Sequence, residues 1–247
     1  MKILVAISQV PDTTAKISFS EDGTKFNPTN VQFIINPYDE WYALVRALEL
    51  KEAGLAEKVS VIHVGLQDTE PTIRKALALG TDDSYRIDLD PTDAFVVAQQ
   101  IAQFLKQNPY DLILFGKETI SYNGGVAAGI LAGLIDYPFI SNASKLEIKD
   151  NKAIANQDIE GGYEVVECAL PVVISANKGM AEQRIPNMKG IMAARTKPLN
   201  VIPPYSYQTA TQYEKFELAP GRSACKFIDP NNVEELVQLL HTEAKVI

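Results

Sequence analysis

The densest chemical potential in the chain lies in the consecutive residues Gly116-Lys117-Glu118-Thr119-Ile120-Ser121-Tyr122-Asn123-Gly124-Gly125. They lead out of the aliphatic run Leu112-Ile113-Leu114-Phe115 and into small residues that begin at Val126 and Ala127. A loop of this kind, between a buried strand and a helix, leaves several backbone N–H groups without partners, and such groups can hold an anion like phosphate. Gly124 and Gly125 serve a tight turn and close helix packing equally well, so the pattern leaves both roles open. Two further loops leave aliphatic runs, at residues 8–13 and 65–68. None of the three contains a P-loop or a GxGxxG sequence, so phosphate transfer lacks its usual parts.

Acid–base and nucleophilic chemistry are poorly provided for. His63 sits between Val61-Ile62 and Val64, and the other histidine, His241, is near the end of the chain. His63 can serve as a general base, but its aliphatic flanks suit a core residue better. No nucleophile elbow accompanies it. Cys168 and Cys225 stand far apart with no histidine paired to them, which suggests neither a zinc cluster nor a disulfide framework. The residues describe a binder more than a catalyst.

With 23 Lys and Arg against 31 Asp and Glu, the net charge is −8, which disfavours nucleic acid as a partner. Residues 184–213 nevertheless contain no Asp or Glu, while Arg184, Lys189, Arg195 and Lys197 cluster beside Ile185, Met188, Ile191 and Met192. A basic segment with flexible apolar side chains suits docking to an acidic partner, and it equally suits the solvated edge of a helix.

The elements that must position these residues are legible in the hydrophobic pattern. The length of 247 residues, 46% of them hydrophobic, allows one large α/β domain or a domain with an appendage. Ile3-Leu4-Val5-Ala6-Ile7, residues 59–64 and residues 112–115 are aliphatic runs suited to strands covered on both faces. Between them, Trp41, Leu44, Val45 and Leu48 have helical spacing up to Gly54, as do Ile73, Ala76 and Leu77 from about Thr69 to Gly80. Ala94, Val97, Ala98, Ile101 and Leu105 repeat the pattern ahead of Asn108-Pro109. The alternation implies an α/β fold with a doubly wound, mostly parallel, Rossmann-like sheet.

Asn36-Pro37-Tyr38-Asp39, Asp90-Pro91-Thr92-Asp93 and Asp229-Pro230-Asn231-Asn232 each offer a capping oxygen and a proline for the first helical position, predicting three helix starts. After Tyr137-Pro138 the rhythm becomes alternation, over residues 145–148 and again over 164–174, with Asp150-Asn151 as a hairpin turn. Beyond Lys197, Pro198, Pro203-Pro204 and Pro220-Gly221 mark an extended arm wrapped over something else, before a last helix from Val233 to about His241. The first residues read as a strand and not a signal peptide. No apolar run reaches the roughly 18 residues of a membrane span. The expectation is a soluble protein of the reducing cytoplasm.

Taken in order, several motifs resemble the beta subunit of electron transfer flavoproteins along essentially the whole chain. They are Lys2-Ile3-Leu4-Val5-Ala6 with Val10-Pro11-Asp12, Ile35-Asn36-Pro37-Tyr38-Asp39-Glu40, and Thr72-Ile73-Arg74-Lys75-Ala76-Leu77-Ala78-Leu79-Gly80. Glu160-Gly161-Gly162-Tyr163-Glu164 with Leu170-Pro171, and Lys189-Gly190-Ile191-Met192-Ala193-Ala194-Arg195, continue the match. The resemblance implies a heterodimer in which an alpha subunit holds most of a redox-active FAD and this chain binds AMP in a structural role. In electron-bifurcating relatives a second FAD takes that place and exchanges electrons with NADH.

By position, the resemblance implies nucleotide contacts at Ala6, Asn36, Pro37, Tyr38, Asp39 and Val64. It adds Gly116, Lys117, Ile120, Asn123, Gly124, Gly125, Val126 and Ala127 from the loop, and it places Thr13 near the flavin ring of the alpha-bound FAD. Met188 matches the apolar anchor of a recognition loop, about 184–197, in which Arg184, Lys189, Ile191, Met192 and Arg195 also dock. The partners so implied are the alpha subunit, flavin dehydrogenases such as acyl-CoA dehydrogenases, and a quinone-linked acceptor. The chain then divides into a nucleotide-binding domain over 1–195 and, over 196–247, an arm and helix packed on the alpha subunit. It is an electron carrier without catalytic residues of its own and without a metal.

Many relatives carry an Asp-rich run where this chain has Ser121-Tyr122-Asn123-Gly124-Gly125-Val126. Gln157 replaces the usual Lys or Arg, and Ser175 the usual Thr, Ala or Cys, so AMP and FAD both remain open for the beta site. A free-standing adenine-nucleotide-binding protein resembling universal stress proteins shares the sheet but lacks the arm. An adenylyl-transferring enzyme is disfavoured by the missing loops.

Overall fold

The aliphatic runs form the middle of a nine-stranded sheet. The computed structural model describes residues 1–222 and 224–247. Its strands are β1 (Lys2–Ala6), β2 (Gln9–Pro11), β3 (Phe33–Ile35), β4 (Lys58–Val64), β5 (Asp83–Ile87), β6 (Leu112–Gly116), β7 (Phe139–Lys149), β8 (Lys152–Ile159), β9 (Gly162–Ala169), β10 (Val172–Ala176) and β11 (Leu199–Ile202). The helices are α1 (Asp39–Glu52), α2 (Glu70–Leu79), α3 (Ala94–Gln107), α4 (Ala127–Ile135), α5 (Met188–Ala194) and α6 (Val233–Leu239). The sheet order is β11-β5-β4-β1-β6-β10-β7-β8-β9, and β2 and β3 form a small antiparallel pair apart from it. Neighbours from β11 to β7 run parallel, and the β7-β8-β9 meander is antiparallel.

Both faces of the parallel part are covered, which is why its strands read as unbroken aliphatic runs. Ile3, Val5 and Ile7 join Leu44, Leu48 and Ile73 in the cluster beneath α1 and α2. Leu4, Ala6, Ile62 and Val64 join Ile101, Phe104 and Leu131 in the cluster beneath α3 and α4. Each fully buried branched side chain of this kind contributes roughly 1.5–3 kcal/mol. From β1 the chain winds one way through β4 and β5, then crosses to β6 on the other side of β1. The order therefore reverses between β1 and β6, and the carboxyl ends of these two strands open the crevice where such sheets bind ligands.

Several expectations are corrected. Alternation across 164–174 does not make one strand: β9 ends at Ala169, and β10 is a separate parallel strand between β6 and β7. Pro171 has no N–H to give a ladder, so it falls between the two. The three Pro-containing helix starts also lie later than the prolines. Asp93 caps α3 by accepting from Val96 N–H at 2.7 Å, and Asn232 caps α6. Tyr38, with no side-chain bond, precedes α1, because the Asn36 side chain is occupied elsewhere. Residues 199–202, inside the expected arm, form β11 and lengthen the parallel sheet beside β5. No helix among the described residues is long and apolar enough to cross a membrane.

The segment around α5 is fixed to α2 through its backbone. The Arg74 guanidinium donates to the carbonyls of Ala194 at 2.8 Å and Lys197 at 2.7 Å. A Cβ on Gly190 would lie 2.2 Å from the Ala78 carbonyl oxygen, so only glycine permits this approach. Gly190→Ala is expected to lift α5 from α2, speeding hydrogen exchange at residues 188–195 while the urea midpoint of the sheet changes little.

Candidate functional site

Asn36 organises the crevice. Its side chain is fully buried at 0% exposure, and every polar group it carries is used by a neighbouring loop. Its Nδ2 donates to the Glu118 carbonyl at 2.9 Å, and its Oδ1 accepts from Ile120 N–H at 2.8 Å. Its own N–H donates to the Ser8 carbonyl at 3.0 Å. One residue, through its side-chain amide and its backbone N–H, thus joins the loop after β1, the start of α1 and the loop after β6.

Glu40 closes the same arrangement from α1. It is 6% exposed. One carboxylate oxygen accepts from Ser8 N–H at 2.6 Å and the other accepts from the Ser8 hydroxyl. Burial pushes the Glu40 carboxyl up to about 8; the two Ser8 bonds oppose this and the neighbouring Asp39 charge adds to it. Asp39 is itself raised by burial, with the Lys117 ammonium opposing. Gly116 makes the approach of α1 possible, since a Cβ there would stand 2.6 Å from Glu40 Cγ and 2.7 Å from its backbone nitrogen.

Beyond Gly116 the loop turns outward. Asn123 N–H donates to the Thr119 carbonyl at 2.8 Å, and Asn123 and Gly125 take left-handed φ values of 50° and 62°. Among the described residues, the N–H groups of Gly124, Gly125, Val126 and Ala127 make no hydrogen bond, and α4 has no side-chain cap. Space around Gly124 is open. This places a run of exposed donors at the positive end of a helix. Ala6 and Val64 lie on the face of the sheet covered by α3 and α4, near the carboxyl ends of β1 and β4. Pro37 is half-buried beside this loop system, Tyr38 is exposed with φ 65°, and Thr13 is exposed between β2 and β3.

His63 belongs to the core. Its Nδ1 lies 2.8 Å from the Ile7 carbonyl, and burial pulls its basicity down, against the bond to Ile7. Its Nε2 packs on Gly65, where a Cβ would lie 2.3 Å away. No group of three or more metal-ligating side chains occurs among the described residues.

The docking candidates collect on α5 and the segment before it. Ile185 and Met188 are 88% and 74% exposed, with Ile191 and Met192 beside them. Two cations of this cluster are bonded within the chain. Arg184 forms a bidentate pair with Glu52 at 2.6 and 2.8 Å, and its carbonyl accepts from Trp41 Nε1 at 3.1 Å. Lys197 donates to the carbonyls of Leu77 and Thr81. Lys189 and Arg195 have no ion-pair partner among the described residues. The Ser8–Glu40 bond was not anticipated, because an acid behind Asn-Pro-Tyr-Asp reads as an ordinary first-turn residue. A glycine ending a buried strand was the signal that a neighbouring backbone comes close.

Fold and crevice together define a doubly wound α/β domain with its loops joined at the switch point. A family profile of the electron transfer flavoprotein domain matches residues 24–206. The chain is 36% identical to the electron transfer flavoprotein subunit beta of Bacillus subtilis (strain 168), over all of both chains. It is 34% identical to that of Syntrophomonas wolfei, over 91% of this chain and 88% of the relative. The human subunit beta is 31% identical over 83% of this chain and 82% of its own length. This chain belongs to the electron transfer flavoprotein beta-subunit family, and electron transport is the role that membership supports.

Glu40 supplies a test of the crevice. Its folded value near 8 against an ordinary 4.5 means that between these limits the folded chain holds a proton the unfolded chain has released. The contribution is complete below the lower limit and lost as pH rises through the upper one. The urea midpoint should therefore fall from about pH 5 to about pH 8, and Glu40→Gln should flatten that part of the fall.

Proposed function

We propose that this chain pairs with an alpha subunit carrying most of a FAD, and that it binds AMP structurally while helping to position that flavin for passage of electrons from dehydrogenases to an acceptor. The carrying observation is the run of free N–H donors at Gly124, Gly125, Val126 and Ala127, beside loops that the buried Asn36 already holds in place. Four such donors at a helix start fit a phosphate without acidic or basic side chains from the loop. The adenine is expected against Ala6 and Val64, on the face covered by α3 and α4. Lys117, Ile120, Asn123, Tyr38 and Asp39 are expected around this seat.

The FAD supplies the redox chemistry when bound, and this chain supplies position and partner choice. No residue of the crevice is needed as an acid or base. The exposed apolar group of Met188, Ile191 and Met192, rimmed by Lys189 and Arg195, is the surface for dehydrogenases. The segment after Ile202 is expected to reach the alpha subunit through α6, whose Val233, Leu236 and Val237 are exposed here.

Two measurements check this reading. Denaturing the complex co-purified with its alpha subunit should release one FAD and one AMP per heterodimer; absence of adenine nucleotide would remove the AMP assignment, and a second FAD would replace it. Met188→Glu should lower the rate of electron acceptance from a flavin dehydrogenase by about tenfold or more with flavin content unchanged. Loss of flavin in step with activity would show that Met188 supports the fold instead.

A further inference from the structure

Between Ile202 and α6 the described residues form no regular element, yet the first of them are held closely to the domain. Tyr205 N–H donates to Gln100 Oε1 at 2.8 Å, and the Tyr205 carbonyl accepts from Gln100 Nε2 at 2.9 Å. Gln208 repeats the exchange with Gln99, at 3.2 and 2.7 Å. The amides of Gln99 and Gln100 thus stand in for the backbone of a missing strand.

Asp93 takes the next step. While its Oδ1 caps α3, its Oδ2 accepts from the N–H groups of Ala210 and Thr211, both at 2.8 Å, and from the Thr211 hydroxyl at 3.3 Å. Burial acts to raise this carboxyl, but the bonds from Val96, Thr211 and Ala210 outweigh it and hold it below the ordinary range.

The chain then enters a series of stacked rings. Tyr122 of the donor loop lies against Tyr213 at 5.2 Å between centroids, with 17° between planes. Tyr213 touches Phe216 at 5.2 Å, and Phe216 stacks on Phe19 at 5.2 Å and 13°. Phe216 N–H also donates to the Gly23 carbonyl at 2.7 Å. Gly23 has φ 69°, and a Cβ there would stand 3.0 Å from the Phe216 carbonyl oxygen, so this anchor requires glycine.

These anchors follow different strands. Asp93 comes after β5, Tyr122 after β6, and Phe19 and Gly23 lie in the excursion between β2 and β3. Since β4 and β1 lie between β5 and β6 in the sheet, a segment tied to all these points crosses the carboxyl ends that carry Val64 and Ala6. We propose that residues 205–216 form a strap across the switch-point crevice that retains the adenine nucleotide, with Asp93 and Tyr213 as its positioning residues. This rests on the nucleotide reading above and adds what governs release: the nucleotide leaves only when the Tyr122–Tyr213 stack and the Asp93 bonds have opened. The part of the arm free to embrace the alpha subunit then begins after Phe216.

The test follows exchange of labelled AMP from the complex co-purified with its alpha subunit, chased with excess unlabelled AMP. Tyr213→Ala and Gly23→Ala, which loosen separate anchors, should each speed exchange by about tenfold, with FAD content unchanged and Tyr213→Phe restoring the slow rate. In the parent complex stripped of nucleotide, adding AMP should slow trypsin cleavage after Lys215. Parental exchange rates in both alanine variants, or cleavage indifferent to AMP, would overturn the strap while leaving nucleotide binding intact. A parent complex that takes up no AMP at all would overturn the binding reading itself, and the strap with it.

Discussion

The site depends on one buried amide. An asparagine with no exposed surface must have its polar atoms satisfied inside the protein, because leaving one unpaired there costs about 1–3 kcal/mol. Asn36 meets that requirement with groups from the loops after β1 and β6, so the two strands on either side of the topological reversal end in loops that cannot move independently. The Ser8–Glu40 bonds and the contact of Gly116 with α1 tighten the same junction. The stretch from Gly124 to Ala127 keeps its N–H donors unbonded within the described chain.

This arrangement suits the proposed role of holding a cofactor still. Glu40 is held in bonds to Ser8, and His63 Nδ1 lies against the Ile7 carbonyl. Helix α5, the proposed docking element, lies against α2, and its apolar side chains stand out from a base tied down by Arg74 and Lys197. A pre-positioned apolar group with little left to order on binding is suited to rapid, reversible contact with successive partners.

Much of this was legible in the sequence wherever local chemistry decides the outcome. The limits of α2 near Thr69 and Gly80, the Asp150-Asn151 turn and the aliphatic central strands all follow from short-range patterns. Strand β11 was not legible, because Leu199-Asn200-Val201-Ile202 stands among prolines and gains its identity only by pairing with β5. Asn36 was misread as a cap for a related reason: its side chain has the chemistry of a cap, and a loop more than eighty positions away, at Ile120, competes for it. The strap was equally hidden, since nothing local connects Asp93 to Thr211 or Tyr122 to Tyr213.

Hydrogen exchange, read amide by amide, addresses the central claim most directly. When AMP is added to the nucleotide-free complex of this chain with its alpha subunit, the amides of Gly124, Gly125, Val126 and Ala127 should become protected, while those of Ile120 and Ser8 change little because Asn36 and Glu40 already hold them. Protection that appears elsewhere and leaves these four amides exchanging freely would contradict the account.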